Sequence, residues 1–323
     1  MIQRIAMHAA VAAAIGLTSL GATHGQSFPT RPIKILVGQG PGTGPDTIMR
    51  LYADAMTANL GQRVVVENRV AGGGLAAAVG LKQSLPDGYT LLMTLPIVHT
   101  ALPGDQNAPF DPIKDFEPIA PLYASSGILL VPASRPARSM KDLALSATSK
   151  PDGLNYASPG YGSPAHLMGV LFQERIGTKM THIPYRGGSA LAVDFIADRV
   201  DFTILSYVAA KPLLEQNARP LAIAGPRRLP NLPDVPTFAE AGFADVAVRS
   251  WFGVVAPKGT PGDVVSRLNE GFQKASQDPL VTKRMNDDNL QILAGKPEDV
   301  ASMITGDIEK LRPLLQALGI KAE

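Results

Sequence analysis

A chain of 323 residues, 45% hydrophobic and only 18% charged, has enough apolar material for two cores of ordinary size. Its formal net charge of +2 supplies no one-signed field, which argues against nucleic acid as a partner. The absence of cysteine removes thiol catalysis, disulfides, thiolate metal sites and the lipidated cysteine of a bacterial lipoprotein.

The first residues read as an export signal. Arg4 gives a short positive start, Ala9 to Leu20 is apolar and alanine-rich, and small residues follow, with cleavage expected after Gly21 or Gly25. No other run approaches the roughly 18 to 20 apolar residues needed to span a bilayer. The expectation is a signal peptide over residues 1–25 and a mature protein released into the periplasm without a lipid anchor.

From Ile33 strand and helix alternate. Ile33 to Val37 is strand-like and runs into a glycine-proline loop. Pro45 to Leu60 then carries Ile48, Met49, Tyr52, Ala55 and Met56 at helical spacing, with Gly61 placed for a left-handed cap. Val64 to Glu67 and Thr90 to Thr94 read as strands around a small-residue helix from Leu75 to Ser84. Pro96 to Pro121 is proline-rich and unperiodic, as a connection along a domain edge would be.

A second unit follows, with strands at Ile128 to Val131, Leu154 to Ala157, Lys179 to Ile183 and Val200 to Leu205. Its helices are Met140 to Ser149, Pro164 to Ile176, Ala190 to Ala197 and Val208 to Gln216, the first opened by a capping pair, Ser139 and Asp142. After a proline-dense stretch come a strand from Trp251 to Ala256, a helix from Val264 to Ser276 and a long amphipathic helix from Pro297 onward. Strands linked by helices imply a parallel, doubly wound sheet in each unit. The recurrence predicts two lobes, 26–122 plus 225–323 and 123–224, hinged about a cleft.

Two glycine-rich strand-to-helix loops stand out. In the first, Pro41, Gly42, Thr43 and Gly44 precede Asp46, so main-chain N–H groups face outward at a helix start, where the macrodipole favours anions. A dinucleotide loop is disfavoured. From Gly38 the sixth position of G-x-G-x-x-G is Thr43, from Gly40 it is Pro45, and Asp46 would repel a pyrophosphate. Small-anion binding and a plain structural turn remain.

The second loop runs from Ser158 through Gly160, Tyr161 and Gly162 to Ser163, with Pro164 at the first helical position and His166 in the first turn. Ser163 is a natural N-cap, and His166, held neutral by the dipole, either faces a ligand or braces the loop, or is a satisfied structural histidine. A Ser163–His166 pair makes an exported serine hydrolase of small esters the rival reading, although no G-x-S-x-G elbow occurs. A third loop places Arg186 as a candidate carboxylate partner and Ser189 as a cap, and Arg227 and Arg228 read as solvated. No histidine spacing supports a metal site, and no cofactor is indicated.

Segments spread over nearly the whole mature chain carry a family resemblance: FPTRPIKILV with PGTGPD, GQRVVVENRVAGGG, PDGYTLL, FDPIKDFEPIA, LNYASPGYGSPAHL, HIPYRGGSALA, LPDVPTFAEAG and WFGVVAPKGTP. In these the sequence resembles the Bug-type periplasmic receptors of tripartite tricarboxylate transporters. The resemblance implies an α/β, two-lobe periplasmic-binding-protein fold of Venus-flytrap, type II-like form. It also implies that the loops at Pro41 to Asp46 and Ser158 to Ser163 grip a ligand carboxylate across the cleft.

Departures from the family pattern are Thr43 and Pro45 in the first loop, the apolar Leu95, Pro96 and Ile97 after the third strand, and Ser206 and Tyr207 where an acidic or amide residue is common. They predict a less polar far end to the pocket. The expected function is a non-enzymatic, monomeric receptor that delivers a small organic acid to membrane permease subunits. Signalling through a membrane sensor kinase is the alternative use.

Overall fold

The computed structural model describes residues 28–71, 74–100, 109–150, 153–185 and 188–317, with the side chains of 188 and 189 outside that description. The expected signal peptide, Arg186 and the Ser189 side chain lie outside the described residues. The chain divides between Thr30 and Arg31, and both sheets belong to Arg31–Glu323.

Its strands are β1 (Ile33–Val37), β2 (Val64–Asn68), β3 (Thr90–Thr94), β4 (Phe116–Ser125), β5 (Gly127–Val131) and β6 (Asn155–Ser158). They continue as β7 (Thr181–Pro184), β8 (Phe202–Ser206), β9 (Arg219–Ala224), β10 (Ser250–Pro257) and β11 (Gln291–Ile292). The helices are α1 (Gly44–Leu60), α2 (Leu75–Lys82), α3 (Pro96–Thr100), α4 (Met140–Ser149) and α5 (Pro164–Ile176), then α6 (Gly188–Ile196), α7 (Tyr207–Glu215), α8 (Gly262–Ala275), α9 (Pro279–Asp287) and α10 (Pro297–Ala317).

One sheet has six strands in the order β11-β4-β10-β3-β1-β2, the other five in the order β7-β6-β8-β5-β9. Where helices connect the strands, pairing is parallel: β2, β1 and β3 in the first sheet, β7, β6 and β8 in the second. The apolar run of β1 is buried on both faces except at Lys34, as a central parallel strand requires. The sheets are nonetheless mixed. β4 continues into β5 through Ser126 alone, so no helical crossover returns the chain parallel. β10 runs antiparallel to β3 and β4, and β5 antiparallel to β8 and β9.

The stretch read as an edge connection holds β4, which sits inside the first sheet between β11 and β10. Pro118 and Pro121 hid it, because proline cannot donate to a ladder. Both prolines fall where the register against β10 shifts, opposite Val255 and Gly253, so irregular pairing absorbs the missing N–H groups.

The anticipated caps form. Gly61 adopts φ 68° and closes α1 onto Thr57, and Ser139 accepts the Asp142 N–H at 3.1 Å. α10 ties the two cores together. Val300 and Ile304 pack with Trp251 on the first sheet's cluster, whereas Leu311 and Leu315 join Phe238 and Phe243 on the second's.

A cavity at three helix starts

α1 begins at the end of the first glycine loop. Thr43 is extended at the cap position, but its hydroxyl turns back to donate to the Gly40 carbonyl at 2.8 Å and leaves the helix start uncapped. Gly42 has φ 77°, a left-handed conformation that glycine adopts without strain. The loop is held from behind by Asp46, only 1% exposed. Its carboxylate accepts the Gly42 N–H at 2.8 Å, Arg50 Nε at 3.0 Å and Asn68 Nδ2 at 2.7 Å. Burial pushes the Asp46 carboxyl up, but the Arg50, Asn68 and Gly42 hydrogen bonds outweigh it and hold it below the usual carboxylate range.

The second loop is braced by histidines. Gly162 donates its N–H to His166 Nδ1 at 3.0 Å, so the neutral imidazole carries its proton on Nε2. Ser163 accepts the His166 N–H at 3.3 Å and donates to the Gly160 carbonyl at 2.7 Å. Ser158 also donates to Gly160, at 2.9 Å, and spends its single proton there. His182 Nε2, 2.7 Å from the Ser158 oxygen, is therefore the donor to it. The His166 and His182 rings stack at 3.9 Å, with Tyr156 stacked on His182 at 5.0 Å and Tyr161 edge-on to both. Burial lowers both imidazoles to about 4, and for His182 the neighbouring His166 adds to the effect.

The third junction is β8 into α7. Ser206 is the cap residue but makes no side-chain cap bond, and the Tyr207 hydroxyl accepts from Asn231 at 3.2 Å.

These three helix starts meet at a cavity of about 460 Å³. Of the residues anticipated from sequence, Thr43, Gly44, Ser163 and Ser206 line it. Pro41, Gly42 and Asp46 form and brace the first loop, and Ser158, Gly160, Tyr161, Gly162 and His166 form and brace the second, without reaching the wall. Tyr207 follows Ser206 but is not on the wall. Leu95, Pro96 and Ile97 lie elsewhere: Pro96 is buried, and Leu95 and Ile97 pack on the core under α10.

Sequence reasoning missed the part of the wall that comes from the paired strands β4 and β10 and from the end of α9. Tyr123 on β4 and Phe252 on β10 stack there at 4.6 Å, and Asp288, paired with Arg284, stands beside them. Alternation along β10 could have found Ser250 and Phe252 on one face, but β4 gave no strand signal to pair with it. Among the described residues that line the cavity none is Lys, Arg or His.

The Ser163–His166 pair that a hydrolase needs does not form. The Ser163 hydroxyl is spent on main-chain groups, and His166 Nδ1 is occupied by Gly162. In the Ser158–His182 pair the serine is fully enclosed and spends its proton on the Gly160 carbonyl. No cluster among the described residues has the make-up of a metal site, and none of their helices is long and apolar enough to cross a membrane.

The model of the tripartite tricarboxylate transporter family receptor matches residues 48–320. This chain belongs to that family. A relative from Pseudomonas sp. strain P51, the UPF0065 protein in the tcbD-tcbE intergenic region, is 34% identical over 95% of this chain and 92% of its own length. The structure of the periplasmic binding protein BugD is 28% identical, with a TM-score of 0.76 over 92% of this chain and 100% of that one. The structure of an R. palustris protein with adipate is 31% identical, with a TM-score of 0.79 over 91% of this chain and 99% of that one. Within the family the chain has the two-lobe α/β fold of periplasmic binding proteins, and the family is one of solute-binding receptors.

Proposed function

We propose that this protein is an exported, periplasmic receptor that closes on a small organic carboxylate and hands it to the membrane permease subunits of a tripartite tricarboxylate-type transporter. One jaw is built on residues 26–122 plus 225–323, with β4 continuing the first sheet to Ser125, and the other on 123–224. The observation that carries the reading is the meeting of three helix starts on a cavity without a cationic side chain. An anion there is held by N–H dipoles, and closure brings dipoles from both jaws to one charge. The adipate of the R. palustris relative agrees with that chemistry.

Thr43, Gly44, Ser163 and Ser206 contact the carboxylate, and the loops around Gly42 and Gly162 set their positions. A thermal-shift screen with a carboxylic-acid library tests the reading. Acids should raise the melting temperature while uncharged sugars and nucleotides leave it unchanged, and the opposite pattern would overturn it. Transport use is tested by reconstitution: permease vesicles should take up the acid only when the receptor is added.

A further inference from the structure

Resting on the carboxylate-receptor reading, we infer that the cavity selects acids with a single carboxylate on an apolar or aromatic body and discriminates against dicarboxylates of the same length. The donors able to meet a carboxylate are concentrated at the helix starts. The start of α5 offers fewer of them: the Ser163 hydroxyl takes the His166 N–H, Pro164 has no N–H and His166 takes that of Gly162, which leaves the Ala165 N–H at the wall. Thr43 and Ser206, in contrast, make no cap bond. α1 follows a strand of the first sheet and α7 a strand of the second, so on closure the starts present one charge with donors from two sides.

The rest of the wall offers a second carboxylate no cation, and its neutral donors are the hydroxyls of Ser125, Ser126 and Ser250 and that of Tyr123, which has no hydrogen-bond partner among the described residues. Met168, Ile204, Val248, Phe252 and Leu290 are apolar, and Tyr123 presents its stacked ring. Its one charged side chain is an acid, Asp288, whose partner Arg284 does not line the cavity. A distal carboxylate would lose its water shell without gaining a cation and would face Asp288. A desolvated, unpaired charge is strongly disfavoured. A methyl end or a ring gains from the same wall by burying apolar area, and a flat ring matches the stacked pair Tyr123 and Phe252.

Titration calorimetry at pH 7 with three length-matched pairs tests this: hexanoate against adipate, octanoate against suberate, and benzoate against terephthalate. The monoacid of the best-binding pair should bind at least tenfold more tightly than its diacid. A ratio below tenfold, or a preference for the diacid, overturns the inference while leaving the carboxylate receptor standing. If none of the six acids binds, both the inference and the carboxylate reading fall. Asp288→Asn supplies a second arm. Removing the acid should narrow the ratio several-fold by improving the diacid, and an unchanged ratio in a folded variant would remove Asp288 from the account.

Discussion

Acidification should unload the histidine brace beneath the second loop, in a pH window that few other groups share. His166 and His182 hold folded values of about 4 against 6.5 when unperturbed, so the unfolded chain binds more protons as the medium turns acid. Their stabilisation is complete above pH 6.5 and drains as the pH falls toward 4. For the 5%-exposed His166, the linkage relation gives a loss of about 2 kcal/mol between pH 7 and pH 5. His182 is more exposed and adds less, and the stacking at 3.9 Å makes a second proton harder to place than the first.

His166→Asn isolates the term, because its amide oxygen can accept the Gly162 N–H in place of Nδ1 and does not titrate. Urea unfolding at pH 7 and pH 5 should show the stability difference between the two pH values shrinking by about 2 kcal/mol in the variant. His99, lowered to about 3 by complete burial, and Asp307, raised to about 6 by burial, also titrate, but both are common to the two proteins and cancel in the comparison. An acid-induced loss identical in wild type and variant would refute the assignment of proton linkage to this pair.

Asp46→Ala removes the acceptor shared by Gly42, Arg50 and Asn68 and should cost about 2–4 kcal/mol in denaturant unfolding, with carboxylate affinity falling by at least tenfold in calorimetry. Gly169→Ala would put a methyl group into the Tyr156 ring that rests on α5. A loss of about 1–3 kcal/mol is expected, together with altered chemical shifts of the His166 and His182 rings, and near-neutral behaviour of both would show that the stack is not tightly packed. Leu315→Ala on α10 deletes a 2%-exposed side chain from the second core and should cost about 2–5 kcal/mol in thermal or urea unfolding.

The helix-connected parts of the fold were legible because each element carried its own local signal. The apolar run of β1, the 3.6-residue spacing of α1 with Gly61 behind it, and the Ser139–Asp142 pair all reappear in the structure. β4 was not legible, since its strand character is set by pairing with a distant partner, and Pro118 and Pro121 speak against a strand until β10 supplies matching irregularities. The same division holds for the site. Both glycine loops could be read from their spacing, and so could the capping role of Ser163. The downstream sequence does not reveal that Asp46 is turned inward, because that depends on Asn68 arriving from β2. Nor could the wall formed by Tyr123, Phe252 and Asp288 be assembled without knowing that β4 pairs with β10. Leu95 to Ile97 show the converse, an apolar stretch whose destination is the core under α10.

The central claim is that the three helix starts hold a carboxylate through main-chain dipoles. Calorimetric titration of the tightest-binding acid beside its primary amide, which has nearly the same size and shape but no charge, tests it most directly. The account predicts saturable binding of the acid and a loss of at least 100-fold for the amide. Equal affinity for the two, or binding of the amide alone, would contradict it.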